Sequence, residues 1–305
     1  MKEMPLSVIL KKIINQETPG GGMELAVKHD NEVAMVSLKV PSVPAVAWKI
    51  IHALGDSSLS SQELERIITM DQSLTAHLLK IANSPRYSFG YEIGNVRDAI
   101  MRIGYDTVRS AVVMTSLSSL RRRLCDTDKR LWEHSLAVGV ASTIIAHNLR
   151  PGQMTDIFVP ALLHDIGKNV LNSCVSDTYA EVVKQVVHEG VSFLSAERMF
   201  FSITHVEIGA YAADIWRLPK NIVSIIELHH SENINEHPDS DTRNKLLVIR
   251  IANTICARLG FGLESPSENE MEILEFFGVK DPAWLDRTIS EVQETVPRHF
   301  VFFEK

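Results

Sequence analysis

The sequence predicts an all-helical fold, and three observations carry that expectation. From Val40 onward, apolar residues recur three and four positions apart, the period of one helical face. Ser60-Ser61-Gln62-Glu63 and Thr204-His205-Val206-Glu207 are capping boxes, in which a hydroxyl and a carboxylate satisfy reciprocal backbone donors at a helix start. Stop signals stand where those stripes end, at Asn83-Ser84-Pro85, Gly104, Gly190 and Gly260.

Taken in order, residues 4–15 carry Leu6, Ile9, Leu10 and Ile13 on one stripe and read as a short helix, broken by Thr18-Pro19-Gly20-Gly21-Gly22. That glycine triplet reads as a flexible connector, because no Gly-Lys-Ser/Thr follows it. Residues 23–40 have no settled period and leave extended chain open. Leu64, Ile67 and Ile68 follow the first capping box. Asp71 caps a helix with Leu74, Leu78 and Ile81, and Val96, Ile100 and Ile103 start another. Val108, Val112 and Leu117 extend a further helix after Gly104. Leu131–Leu149 is the helix of His134, and Pro160 suits the first turn of the helix leading to His164. Tyr179, Val182, Val183, Val186 and Val187 form a stripe closed by Gly190, and Ser192 starts a helix through Phe200. Pro219 opens the helix ending in His229-His230. Ser231–Asp241 reads as a loop and Lys245–Leu259 as a long helix. Two last helices start near Ser267 and at Asp281-Pro282.

With 305 residues, 45% apolar and 23% charged, the chain is an ordinary globular one with room for one large or two modest domains. A net charge of −7 argues against a dedicated nucleic-acid binder; Arg121-Arg122-Arg123 is the one basic run and reads as a solvated helix end. Cys125, Cys174 and Cys256 are odd in number, far apart and without CxxC spacing, which favours free thiols in a reducing compartment. No apolar stretch approaches a membrane span and the N-terminus lacks a signal-peptide pattern, so a cytoplasmic protein without a membrane partner is expected.

The chemistry concentrates around Ala161-Leu162-Leu163-His164-Asp165-Ile166-Gly167-Lys168. If this run is helical throughout, His164 and Lys168 share a face one turn apart, and Asp165 points about 100° away. An imidazole and a carboxylate at the end of an apolar run cost free energy unless something satisfies them. His134 lies upstream, and His205, His229 and His230 lie downstream, each near a helix end. With Asp165 they supply enough nitrogen and oxygen ligands for one divalent ion, or for two sharing a bridging carboxylate. His147 and His188 fall outside this series and read as surface residues.

The order His, His-Asp, His, His-His resembles the HD superfamily of metal-dependent phosphohydrolases. That superfamily completes its set with an Asp on a late helix, and Asn253 stands at the matching place here. The resemblance thus implies metal ligation by His134, His164, Asp165, His205, His229, His230 and Asn253, with Asp165 and Lys168 as catalytic groups. A narrower resemblance runs through Val43-Pro44, Ile68-Thr69-Met70-Asp71-Gln72-Ser73-Leu74-Thr75, Ile81-Ala82-Asn83-Ser84, Asp98-Ala99-Ile100-Met101-Arg102-Ile103-Gly104 and Ile215-Trp216-Arg217-Leu218-Pro219. These phrases are similar to the HDOD family, HD-related output domains of bacterial signalling proteins, over roughly residues 38–255. That resemblance implies a front helical bundle (residues 38–125) packed on an HD-like bundle (residues 126–260), flanked by an N-terminal extension (residues 1–37) and C-terminal helices (residues 261–305). Most of that family is thought to have lost its metal ligands, and this chain keeps nearly all. The Gly-Tyr-Pro signature of the cyclic-di-GMP phosphodiesterase branch has no match in Ser231–Pro238, so that specificity is not implied.

Three readings follow. The first is a signalling output module that retains one or two divalent transition-metal ions, iron or manganese favoured by the mixed imidazole and carboxylate set and zinc compatible, with little or no turnover. Its partner would be a signalling protein or a nucleotide or phosphate ligand. The second is an active metal-dependent phosphohydrolase on a nucleotide or phosphodiester, with Lys168 meeting a phosphate. In the third the histidines hydrogen-bond one another and hold no ion.

Overall fold

The computed structural model describes residues 23–29, 32–42, 48–51, 60–85, 87, 90–117, 126–149, 154, 156–231, 234, 239–263, 275, 277–279, 281 and 283–303. The expected helix at 4–15, the glycine connector, Arg121–Arg123, Cys125 and the helix start at Ser267 lie outside them.

The stretch without a helical period is a β-hairpin. Strands β1 (Met23–His29) and β2 (Glu32–Leu38) pair antiparallel, with Met23 opposite Leu38 and His29 opposite Glu32. Leu25 and Val27 alternate inward and are buried, the period-two burial expected of a strand with one covered face. Val27 bridges to Phe201, and the Ser202 N–H donates to the Ala26 carbonyl at 3.2 Å, which ties the hairpin to the second bundle.

The front bundle comprises α1 (Ser61–Thr69), α2 (Gln72–Ala82), α3 (Val96–Ile103) and α4 (Tyr105–Leu117). Two of its starts are those the caps predict, the Ser60–Glu63 box and Asp71 accepting from the Ser73 and Leu74 N–H groups, and α3 starts after Asn95, whose side chain accepts from the Asp98 N–H. Asn83 closes the connection from α2 to α3: its amide donates to the Ile93 carbonyl at 2.9 Å and its oxygen accepts from the Ile93 N–H at 2.7 Å.

The second bundle is built on α5 (Asp126–Leu149), a long helix with residues buried around most of its circumference. Around it lie α6 (Phe158–Leu163), α7 (Ile166–Cys174), α8 (Ser176–Glu189), α9 (Phe193–Phe200), α10 (His205–Ile215), α11 (Lys220–Leu228), α12 (Ser240–Arg258) and α13 (Ala283–Thr295), with a 3-10 segment at Val296–Phe303. One continuous core joins the bundles, from Leu64 and Ile68 in front to Leu162, Ile208 and Ile249 behind. Two tryptophans pin the seam: Trp48 Nε1–H donates to the Trp216 carbonyl at 3.1 Å, and Trp216 Nε1–H to that of Pro41 at 2.8 Å.

Two helices start earlier than their apolar stripes suggest. α5 begins at Asp126 rather than Leu131, and α12 at Ser240 rather than Lys245. In α12, Asp239 caps the start by accepting from the Thr242 N–H at 3.0 Å, so that part of the expected loop is the helix's polar first turn. Cys174 and Cys256 are free thiols, as expected.

Candidate metal centre

The run from Ala161 to Lys168 is not one helix. α6 stops at Leu163, His164 and Asp165 form a turn, and α7 restarts at Ile166. Gly167 follows the break, inside the first turn of α7. A Cβ on it would lie 1.8 Å from the His205 carbonyl oxygen, so α7 and the start of α10 touch backbone to backbone. The turn brings His164 and Asp165 to the end of the apolar run, and the contact brings His205 to meet them.

Asp165 is the hub, 2% exposed. Its Oδ2 lies 3.4 Å from His134 Nε2 and 3.3 Å from His164 Nε2; its Oδ1 lies 3.5 Å from His205 Nε2 and 3.3 Å from His229 Nε2. His134, His164 and Asp165 form one group of potential ligand atoms within 4.8 Å of one another, and Asp165, His205, His229 and His230 form another. All six residues of the predicted series therefore meet at one carboxylate. His147 and His188 are exposed.

The orientation of the rings identifies what they are built for. His134 Nδ1 donates to the Phe261 carbonyl (2.8 Å), His164 Nδ1 to that of Ala161 (2.7 Å) and His229 Nδ1 to that of Ile226 (2.8 Å). His205 Nδ1 donates to Glu197 Oε2 at 2.7 Å. A neutral imidazole that donates from Nδ1 keeps a lone pair on Nε2. Four Nε2 lone pairs thus face carboxylate oxygens, acceptor against acceptor. The Nε2 atoms of His134, His164 and His229 and Oδ1 of Asp165 are buried without hydrogen-bond partners. Unpaired buried acceptors are costly, and a cation among them removes the cost. The donor set fits a divalent transition ion.

Lys168 is also here, 2% exposed. Its Nζ donates to Asp165 Oδ2 at 2.7 Å and lies 4.3 Å from the centre of the Phe193 ring. Burial acts to raise the Asp165 carboxyl, but the His164 and His134 imidazoles and the Lys168 ammonium packed around it overcome that and hold Asp165 well below the usual carboxylate range. Asn253 lies on α12, its Oδ1 buried and without a hydrogen-bond partner.

The HDOD domain profile matches residues 40–232, more than half of the chain. The chain belongs to the HDOD family. This HDOD protein is 26% identical to an HDOD domain protein of unknown function from Geobacter sulfurreducens, with a TM-score of 0.70 over 86% of this chain and 94% of that one. A candidate signal transduction protein from Marinobacter aquaeolei superposes with a TM-score of 0.77 at 18% identity, covering 98% of this chain and 66% of that one, and shows the same fold. An uncharacterised protein of Treponema pallidum is 21% identical over 258 residues, 84% of this chain; the HDOD protein spans only 49% of that relative's length.

Sequence reasoning passed over Glu197. It is fully buried on α9, where it accepts the backbone N–H of His205 at 2.7 Å as well as its Nδ1–H, and its Oε1 accepts from the Tyr179 hydroxyl at 2.9 Å. The signal was present: Phe193, Ala196, Glu197 and Phe200 are one helical stripe, and an acid inside an apolar stripe needs a partner. The return after α12 was missed too. Gly262 has φ +142°, and a Cβ there would lie 2.8 Å from His134 Nδ1, so only glycine lets the Phe261 carbonyl reach His134.

Burial pushes the His229 imidazole from its ordinary value of 6.5 down to about 4, and burial beside the His229 and His205 imidazoles lowers His230 as well. Both rings stay neutral in the folded chain where the unfolded chain binds protons. The stability of the metal-free HDOD protein is therefore fully present above pH 6.5 and declines as the pH falls towards about 4. Urea denaturation of metal-stripped protein at pH 7 and pH 5 should differ by about 2 kcal/mol from His229 alone.

Proposed function

We propose that this HDOD protein is a bacterial signalling or regulatory output module that holds a divalent transition metal and turns over little or nothing. The observation carrying the metal reading is the convergence of four Nε2 lone pairs on the Asp165 carboxylate. His134, His164, Asp165, His205, His229 and His230 are the residues that would hold one ion or two, with Asn253 in the place of the family's late carboxylate. Iron or manganese suits this imidazole-rich set with one carboxylate, and zinc is compatible. When bound, the ion supplies Lewis acidity and lowers the pKa of water from ~15.7 towards ~7.

Two features support low turnover. Asn253 contributes a neutral amide, so one anionic ligand is missing. Lys168, the group placed to clamp a phosphate, is buried with its ammonium against Asp165. The signalling assignment follows family membership and agrees with the name carried by the Marinobacter relative. No helix among the described residues is long and apolar enough to cross a membrane, which is compatible with a protein partner or a nucleotide or phosphate ligand in solution.

The enzyme reading has one observation in its favour: the histidines and Asp165 are all present and correctly turned. Turnover of a panel of nucleotides and generic phosphodiesters by wild type, Asn253→Asp and Asp165→Ala, each metal-loaded, separates the two. The wild type should be weak or inactive, and activity gained by Asn253→Asp would mark a hydrolase site retained for binding. Rapid, metal-dependent turnover by the wild type, lost in Asp165→Ala, overturns the module in favour of the enzyme.

A further inference from the structure

The two oxygens of Asp165 are not equivalent. Oδ2 accepts from the Lys168 ammonium at 2.7 Å, whereas Oδ1 is buried with no hydrogen-bond partner. We propose that the centre is mononuclear: the ion takes the Oδ1 side with His205, His229 and His230, and the Lys168 ammonium is a built-in cation on the Oδ2 side with His134 and His164. This assignment rests on the metal reading above and departs from a set in which both sides are filled by ions.

The donor count favours the Oδ1 side. Asp165, His205, His229 and His230 bring four ligand atoms together, whereas His134, His164 and Asp165 bring three.

Charge points the same way. His205 is backed by a buried carboxylate, Glu197, which accepts both its backbone N–H and its Nδ1–H, while His134 and His164 are backed by the neutral carbonyls of Phe261 and Ala161. A carboxylate behind a ligating imidazole fixes its tautomer and makes it a stronger donor. A dication is thus drawn to the side with Glu197 behind it and repelled from the side where an ammonium already sits. Nor is Lys168 a side chain swung in from solvent: its ammonium is enclosed, with the Phe193 ring 4.3 Å away. Glu197 is accordingly a positioning residue, acting through His205.

The test uses the full chain, stripped of metal, reloaded with Co(II) or Mn(II), dialysed and measured by elemental analysis and, for cobalt, by its visible spectrum. Circular dichroism checks the fold of each variant. Wild type should hold one ion per chain. His229→Gln should lose it, while His134→Gln should keep it with an unchanged cobalt spectrum. Lys168→Met, which removes the charge and keeps an apolar stem against Phe193, should raise the count to two. Glu197→Gln should weaken binding about 10- to 100-fold. If Lys168→Met does not fold, the two histidine variants decide alone. Two ions in the wild type overturn the assignment, as does an ion lost in His134→Gln but kept in His229→Gln. Absence of metal from every protein, even after reconstitution, overturns the metal reading itself and is distinct from either result.

Discussion

Asp165→Ala should strip the protein of bound metal and also destabilise the fold. The carboxylate is the common member of both ligand groups, so each loses its single anionic donor. The same substitution leaves the Lys168 ammonium buried without the carboxylate that now lies 2.7 Å from it. Breaking a buried pair from one side costs about 3–5 kcal/mol, because the remaining charge stays desolvated. The Phe193 ring offsets part of that, so a loss of about 3 kcal/mol is expected in the metal-free state. Asp165→Asn separates the two effects. Its amide oxygen can still accept from Lys168, so the fold should lose less while the metal is lost all the same. Elemental analysis and urea denaturation of the stripped proteins read the two quantities independently. Full metal content in Asp165→Ala would remove this carboxylate from the centre.

Gly167→Ala should damage fold and site together. Its Cβ would stand 1.8 Å from the His205 carbonyl oxygen, 2.7 Å from that carbonyl carbon and 2.8 Å from the Gly209 nitrogen. These are backbone atoms of the opposing helix, and no rotamer change relieves them. Overpacking a core costs about 1–3 kcal/mol when side chains can yield, and more when they cannot. We expect about 3 kcal/mol or more, seen as a melting temperature lower by about 5 °C or more. Separating α7 from α10 also moves Asp165 away from His205, so metal affinity should fall with stability. Gly94→Ala is the control, since its Cβ meets nothing within 4 Å. A Gly167→Ala protein that melts and binds metal like the wild type would show that this contact is not what assembles the centre.

The helices were legible because their signals are local. Apolar period, the Ser60 and Thr204 boxes, Asp71 and the stops at Gly104 and Gly190 act within one or two turns, and the helices start or end at each of them. Where only the apolar stripe was followed, the starts of α5 and α12 came late, because a helix's first turn can be polar when a cap satisfies it. Family order supplied the six histidine and aspartate positions. It could not supply the turn at His164-Asp165 or the close packing of α10 on Gly167, whose partner atoms lie about forty residues further along the chain.

By itself, then, the sequence determined the helical class, the family and the residues that gather at the candidate centre, because periodicity, caps and motif order are written in neighbouring positions. Only the tertiary structure decided how those residues are used: which nitrogen each imidazole presents, that Glu197 stands behind His205, and that Lys168 lies on one oxygen of Asp165 and leaves the other open. A tautomer is chosen by whatever acceptor lies at Nδ1, and a carboxylate oxygen is claimed by whichever cation reaches it first. Those partners come from different helices, and packing alone brings them within hydrogen-bond distance.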